Sequence, residues 1–104
     1  GNSFVHETES QVILNGSYNI NFTMDLVLKD TGLFDNLAKK LNAPLEISPK
    51  IVEIFKDGHK KYGSRAWSSM IVKRMEDLNK IDFRTDGFPE ELIDNEPEEK
   101  GHEI

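Results

Sequence analysis

A chain of 104 residues with 37% hydrophobic content allows one domain with a modest core, and stretches without apolar periodicity are expected outside it. Apolar runs such as Leu26-Val27-Leu28 are only a few residues long, which excludes a membrane span, and no basic segment followed by an apolar one supports secretion, so a cytoplasmic location is expected. The formal charge of −6 is concentrated: residues 82–104 carry nine acidic and two basic residues, whereas residues 1–81 carry ten acidic and eleven basic. That leaves no concentrated basic surface for nucleic acid.

In chain order, residues 1–20 mix polar residues with Val12-Ile13-Leu14 and then Asn15-Gly16-Ser17, a turn signal. The segment reads as a loop or extended lead-in. From Phe22 to Leu41 the pattern becomes helical. Phe22, Leu26, Leu33, Leu37 and Leu41 recur at steps of four and seven, and Val27, Phe34 and Ala38 widen the stripe enough for a helix packed on two sides. Asp25 with Lys29 and Asp35 with Lys39 stand in the favourable acidic-then-basic order at i,i+4. Asn42 can take a left-handed cap and Pro44 prevents continuation. Gly32 costs about 1 kcal/mol relative to alanine inside such a helix, so a close neighbour is expected there.

Ser48-Pro49 reads as an N-cap and first-turn pair opening a second helix, with Ile51, Ile54, Phe55 and Tyr62 on its apolar side and Gly63 at its end. Gly58 weakens its middle. A third helix is expected from Arg65 or Ala66 to Asn79, with Ser64 as cap and Trp67, Met70, Ile71, Met75 and Leu78 at helical spacing. The fold class is therefore all-α, a small helical bundle spanning residues 21–80. Residues 81–104 read as an acidic, weakly ordered tail in which Phe83, Phe88, Leu92 and Ile93 could anchor.

Few residues suggest chemistry unaided. His6, His59 and His102 are scattered without ligand spacing, and no cysteine is present, so no metal site or cysteine nucleophile is expected. Asp82 to Gly87 resembles a calcium loop, but Arg84 stands at the third ligand position and Ile93 at the twelfth. Asn15-Gly16-Ser17 and Asn21-Phe22-Thr23 are formal glycosylation acceptors without a secretory signal. Trp67 and Met70 read as core. The residue that stands out is Lys29, a cation interrupting an apolar stripe. It must be paired, snorkelling or open to an anion; pairing with Asp25 on a solvated face is the plain alternative.

The passage Gly16-Ser17-Tyr18-Asn19-Ile20-Asn21-Phe22, running through Met24-Asp25-Leu26-Val27-Leu28-Lys29-Asp30 to Leu33, resembles the start of the C-terminal domain in the 3-hydroxyisobutyrate dehydrogenase-like (β-hydroxyacid dehydrogenase) family. A glycine-containing turn leads to a phenylalanine, and a lysine–aspartate pair follows seven residues later. Asn42-Ala43-Pro44-Leu45 and Gly63 to Ser69 resemble that family's next two connections, so the likeness runs over about residues 3–80. Ala66 departs from it, since the family often has a helix-capping aspartate there.

The resemblance implies a bundle like the C-terminal domain of 6-phosphogluconate dehydrogenase. It implies an NAD- or NADP-dependent parent enzyme that transfers hydride between the cofactor and a small 3-hydroxy acid or its aldehyde. It places Lys29 at the nicotinamide end of the cofactor, with Phe22 beside it; Asp30 either fixes the local network or makes direct contact. The seven glycines nowhere form G-x-G-x-x-G, and no segment resembles the motif bearing the family's catalytic lysine. This chain is therefore expected to be a fragment, inactive alone, lacking the N-terminal Rossmann domain that is its expected partner. No catalytic residue is assigned within it. Exposed apolar surface would favour a homo-oligomer. The rival reading is a free-standing helical protein-interaction module.

Overall fold

The computed structural model describes residues 2–90 and residue 101. The described residues form four α-helices and one short 3-10 segment: α1 (Phe4–Asn15), α2 (Met24–Lys40), α3 (Ser48–Tyr62), the 3-10 segment Ser68–Val72, and α4 (Lys73–Asn79). The extended pairing among them is a single antiparallel bridge between Thr23 and Trp67. The all-α expectation therefore holds, and none of the helices is long and apolar enough to cross a membrane.

The lead-in expected over residues 1–20 is instead a helix for most of its length. Ser3 caps α1 by accepting the His6 N–H at 3.0 Å, satisfying one of the orphan donors of the first turn. Gly16 closes it at φ 94°, a left-handed conformation that glycine adopts at little cost. Periodicity missed this helix because its apolar residues cluster at the two ends around the polar run His6 to Gln11. Only Thr8 and Val12 are buried on it, and its anchoring comes from tertiary contacts.

Helix α2 begins two residues later than expected, because residues 22–24 are engaged with the connection after α3. Met24 N–H donates to the Ala66 carbonyl at 2.8 Å, Asp25 N–H to Ser64 at 3.1 Å, and Ser68 N–H to Phe22 at 2.7 Å. The expected start of the third helix at Arg65 or Ala66 is corrected for the same reason. The Ser64 and Ala66 carbonyls are spent on capping α2, the Ser64 side chain makes no capping bond among the described residues, and helical turns resume only at Ser68. At the far end α2 stops as read: Asn42 stands at φ 51°, and Ala43 N–H reaches back to Ala38 while Asn42 N–H reaches Lys39, the paired bonds of a Schellman ending. In α3 Ser48 is the first helical residue and makes no capping bond; a shift of one residue at a helix end is small.

Helix α3 packs against α2 and the 3-10 segment. Gly58 permits this: a Cβ built there would lie 2.8 Å from Ile71 Cδ1 and 3.3 Å from Met24 Cε. Gly32 behaves otherwise. No atom lies within 4 Å of a Cβ built on it, so the neighbour expected there is absent among the described residues.

Among the described residues the buried hydrophobic ones are few: Val12, Tyr18, Met24 and Ala38. Beside them lies a polar knot. The Glu76 carboxylate, 4% exposed, accepts the Tyr18 hydroxyl at 2.5 Å and two bonds from the Arg84 guanidinium at 2.8 Å each. Arg84 also donates to Tyr18 Oη and to the Ile13 carbonyl, and its guanidinium stacks 4.7 Å from the Tyr18 ring centre. Thr85 N–H bonds Leu14 at 2.9 Å, and Asn15 donates to the Phe88 carbonyl at 2.9 Å. Residues 84–88 are thus stitched along the end of α1, correcting the expectation of a weakly ordered start to the tail. Arg84 is the anchor, while Phe83 and Phe88 are exposed. Leu92 and Ile93 lie outside the described residues.

Candidate functional site

Of the apolar stripe predicted to hold α2 in the bundle, Val27 and Ala38 face inward and most of the rest faces the other way. The inward ridge is Met24, Val27, Leu28, Thr31, Asp35 and Ala38, all buried or half-buried. The rest of the stripe looks outward: Leu33 is 63% exposed and Leu41 68%, with Leu26, Phe34 and Leu37 also exposed. Periodicity locates an apolar face of a helix but does not say which of two faces the bundle uses. Here the ridge from Met24 to Ala38 turns inward, and Leu33, Leu37 and Leu41 remain outside.

Lys29 and Asp30 lie on this outward side, and both are exposed. The predicted Asp25–Lys29 pair does not form. Asp25 instead takes the Thr23 hydroxyl and the Leu26 N–H on Oδ1, and the Thr23 bond, reinforced by that N–H and the nearby Arg65 charge, lowers its pKa below the usual carboxylate range. The companion pair Asp35–Lys39 does form, at 3.3 Å. Neither Lys29 nor Asp30 makes a side-chain hydrogen bond or ion pair among the described residues. Phe22, also exposed, sits two residues before α2, not on its first turn. Its position relative to Lys29 is nevertheless set, because its carbonyl and the next two residues are pinned to residues 64–68. The three residues singled out in the sequence thus share the α2 end of the molecule without touching a common group.

A cleft that sequence reading missed opens beside them, lined by Asn21, Thr23, Asp25, Leu26, Arg65 and Trp67. Asn21 holds a left-handed φ of 58°, tolerated by asparagine. Trp67, expected in the core, is half-buried in this wall. No sequence pattern joins residues 21–26 to 65–67; the backbone bonds of the α2 cap bring them together. The hollow under the α2–α3 connection is lined by Ala38, Ala43, Pro44, Leu45 and Pro49, and Lys39 at its edge already pairs with Asp35.

Between α3 and α4 several charged groups pair with one another. Arg74 donates to Asp57 at 2.6 Å, joined by Lys61 at 3.1 Å, and the Arg74 bond lowers the Asp57 pKa. Tyr62 donates to Asp77 at 2.7 Å. Among the described residues no cluster of His, Cys, Asp and Glu could hold a metal ion.

What the arrangement offers is an outward apolar helix face carrying an unpaired cation, next to a small polar cleft, with no glycine-rich turn to cradle a pyrophosphate. Comparison with known proteins bears on this geometry. No curated protein and no solved structure matches the chain. A family model described as the NAD-binding of NADP-dependent 3-hydroxyisobutyrate dehydrogenase matches residues 1–75. That match takes in α1, α2, α3 and the start of α4, and on it the chain belongs to the family of the NAD-binding domain of NADP-dependent 3-hydroxyisobutyrate dehydrogenase.

Proposed function

We propose that this chain is the C-terminal helical part of an NAD(P)-dependent β-hydroxyacid dehydrogenase, and that the outer side of α2 forms one wall of the cofactor cleft. The observation that carries this is Lys29, an exposed ammonium without a partner among the described residues, set between outward-facing leucines. A lysine in that setting gains little from the bundle and much from a ligand that brings polar or anionic groups to it. In this reading Lys29 binds the nicotinamide end of the dinucleotide, Phe22 covers the ring, and Asp30 holds the local hydrogen bonds. The leucines seal the cleft against water on docking to the Rossmann domain. The bound cofactor accepts or donates the hydride, and the parent enzyme works on a small 3-hydroxy acid. The protein's groups bind, orient and exclude water. By itself the chain is inactive.

The test is made on the product of the complete reading frame. Lys29→Ala is expected to weaken NAD(P) binding by roughly 10- to 100-fold, the cost of losing a hydrogen bond to a charged group. The exposed Lys56→Ala serves as the charge control and should leave binding unchanged. Equal affinity of both variants for the cofactor would sink the assignment. A free-standing interaction module would use the same leucine stripe. It would be favoured by an intact native mass near 11.9 kDa together with no cofactor binding.

A further inference from the structure

We propose that Asn15–Gly16 is a deamidation site held closed by the docked segment 84–88, and that its modification releases that segment irreversibly. Asn15 is the only asparagine followed by glycine. The fold requires that glycine for two reasons. Gly16 closes α1 at φ 94°, and the Arg84 side chain lies across it, so that a Cβ built there would meet Arg84 Cδ at 2.7 Å and Nε at 2.8 Å. The same lack of a side chain leaves the Gly16 nitrogen unhindered toward the carboxamide that precedes it. Deamidation proceeds by attack of that nitrogen on Asn15 Cγ. A C–N bond forms, the Gly16 N–H proton is lost, and ammonia leaves with the former Nδ2. Water then opens the cyclic imide at either carbonyl to give aspartate or isoaspartate, and no other co-reactant is needed.

Both reacting groups are occupied in the folded chain. Gly16 N–H donates to the Val12 and Ile13 carbonyls at 3.1 Å each, and Asn15 Nδ2 donates to the Phe88 carbonyl at 2.9 Å. The docked strip is held further by Thr85 N–H on Leu14 at 2.9 Å and by the Ser17 hydroxyl on the Glu90 carbonyl at 2.6 Å. Reaction therefore needs a local opening in which residues 84–88 leave the end of α1 and its last turn frays. Modification then removes what redocking needs. The donor to the Phe88 carbonyl becomes an oxygen that repels it. The new charge enters a hollow that already holds Asp86, where the Arg84 guanidinium is engaged with Glu76, Tyr18 and Ile13. Isoaspartate also lengthens the main chain just where Gly16 N–H closes the helix. None of this depends on the cofactor wall on α2.

Peptide mapping that separates asparagine, aspartate and isoaspartate at position 15 follows the reaction in the full chain, in mildly alkaline buffer, folded and in urea. Conversion is expected to be slower by roughly tenfold or more in the folded chain. Arg84→Ala should remove most of that difference while circular dichroism shows the helices retained. Should that variant not fold, Ser17→Ala decides. It drops the Glu90 tether and one bond from Asn19 N–H but leaves the Arg84 contacts intact, and should speed conversion by about 2- to 5-fold, as expected for one neutral hydrogen bond. In Asn15→Asp the Thr85 amide hydrogen should exchange about tenfold faster than in the native chain. Equal conversion folded and in urea, or no preference for Asn15 over the other asparagines in urea, overturns the site. A native rate in folded Arg84→Ala, or in Ser17→Ala in its place, overturns the gate. Unchanged Thr85 exchange in Asn15→Asp overturns the release.

Discussion

Around Arg84 nearly every demanding group has a partner, whereas along the outer side of α2 the large apolar groups and Lys29 have none. The knot gathers residues far apart in the chain, Tyr18, Glu76 and Arg84 with the Ile13 carbonyl, and removes a carboxylate from water only by surrounding it with donors. The α2 face leaves Leu33, Leu37 and Leu41 in solvent. A buried charge must be satisfied inside the fold, because no later event can repay its desolvation. Exposed leucines and an unpaired lysine can instead wait for a second surface. The first region carries stability, and the second is where the proposed cofactor wall lies.

The largest expected effect tests the first half of that contrast. Arg84→Ala leaves Glu76 enclosed without its cation and should cost about 3 kcal/mol, the lower end for a broken buried pair, since Arg84 is itself part-exposed. Urea denaturation measures it. Replacing both residues together, Glu76→Leu with Arg84→Met, should recover most of the loss; a loss below about 1 kcal/mol for Arg84→Ala would mean the knot is ornamental.

Next come two glycines on the two kinds of surface. Gly58→Ala drives a methyl to within 2.8 Å of Ile71 Cδ1 and should destabilise by about 1–3 kcal/mol through overpacking. Gly32→Ala meets open space and should stabilise the isolated chain by up to about 1 kcal/mol. Opposite signs in thermal melts are the expected result, and a loss at Gly32 would show that the outer face of α2 is already covered.

The smallest effects are those of pH. Burial, then the Glu76 carboxylate, pushes the Tyr18 pKa up to about 12, and burial with Asp77 does the same for Tyr62. Both folded values lie above the ordinary value of about 10 in an unfolded chain. The stability they contribute is therefore complete below about pH 10 and is lost as pH rises through 12. Asp57 behaves inversely. Arg74 lowers its pKa, so its contribution is present above about pH 4 and lost as pH falls through the folded value. Tyrosinate absorbance followed alongside unfolding should show no ionisation of Tyr18 before the fold opens; ordinary titration near pH 10 in the folded protein would contradict the knot.

Legibility differed between elements for physical reasons. Helices α2 and α3 announced themselves through spacing, and Asn42, Pro44 and Gly63 marked their ends because cap conformations depend on local backbone chemistry. Helix α1 did not, since only Val12 and Thr8 are buried on it and it is held by the 3-10 segment Ser68–Val72 and residues 84–88 rather than by a long apolar face. The start expected at Arg65 failed because the carbonyls of Ser64 and Ala66 are claimed by α2, a demand from forty residues away. Of the candidate site, Phe22, Lys29 and Asp30 were proposed from motif spacing, while the Asn21–Arg65–Trp67 cleft was not legible, its walls being joined only by those caps.

The amino-acid sequence alone determined the all-α class, the two long helices with their terminating residues, the concentration of negative charge after residue 81, the absence of a dinucleotide fingerprint, and Lys29 as an unusual cation on an apolar stripe. These follow from periodicity, local backbone preference and composition, which act within a few turns of chain. Only the tertiary structure decided which face of α2 turns inward, that Glu76 and Arg84 belong to one buried network with Tyr18, and that Asp25 is taken from Lys29 by Thr23. Those outcomes depend on which distant groups compete for the same hydrogen bonds and the same space, and such competition is resolved only when the chain has folded.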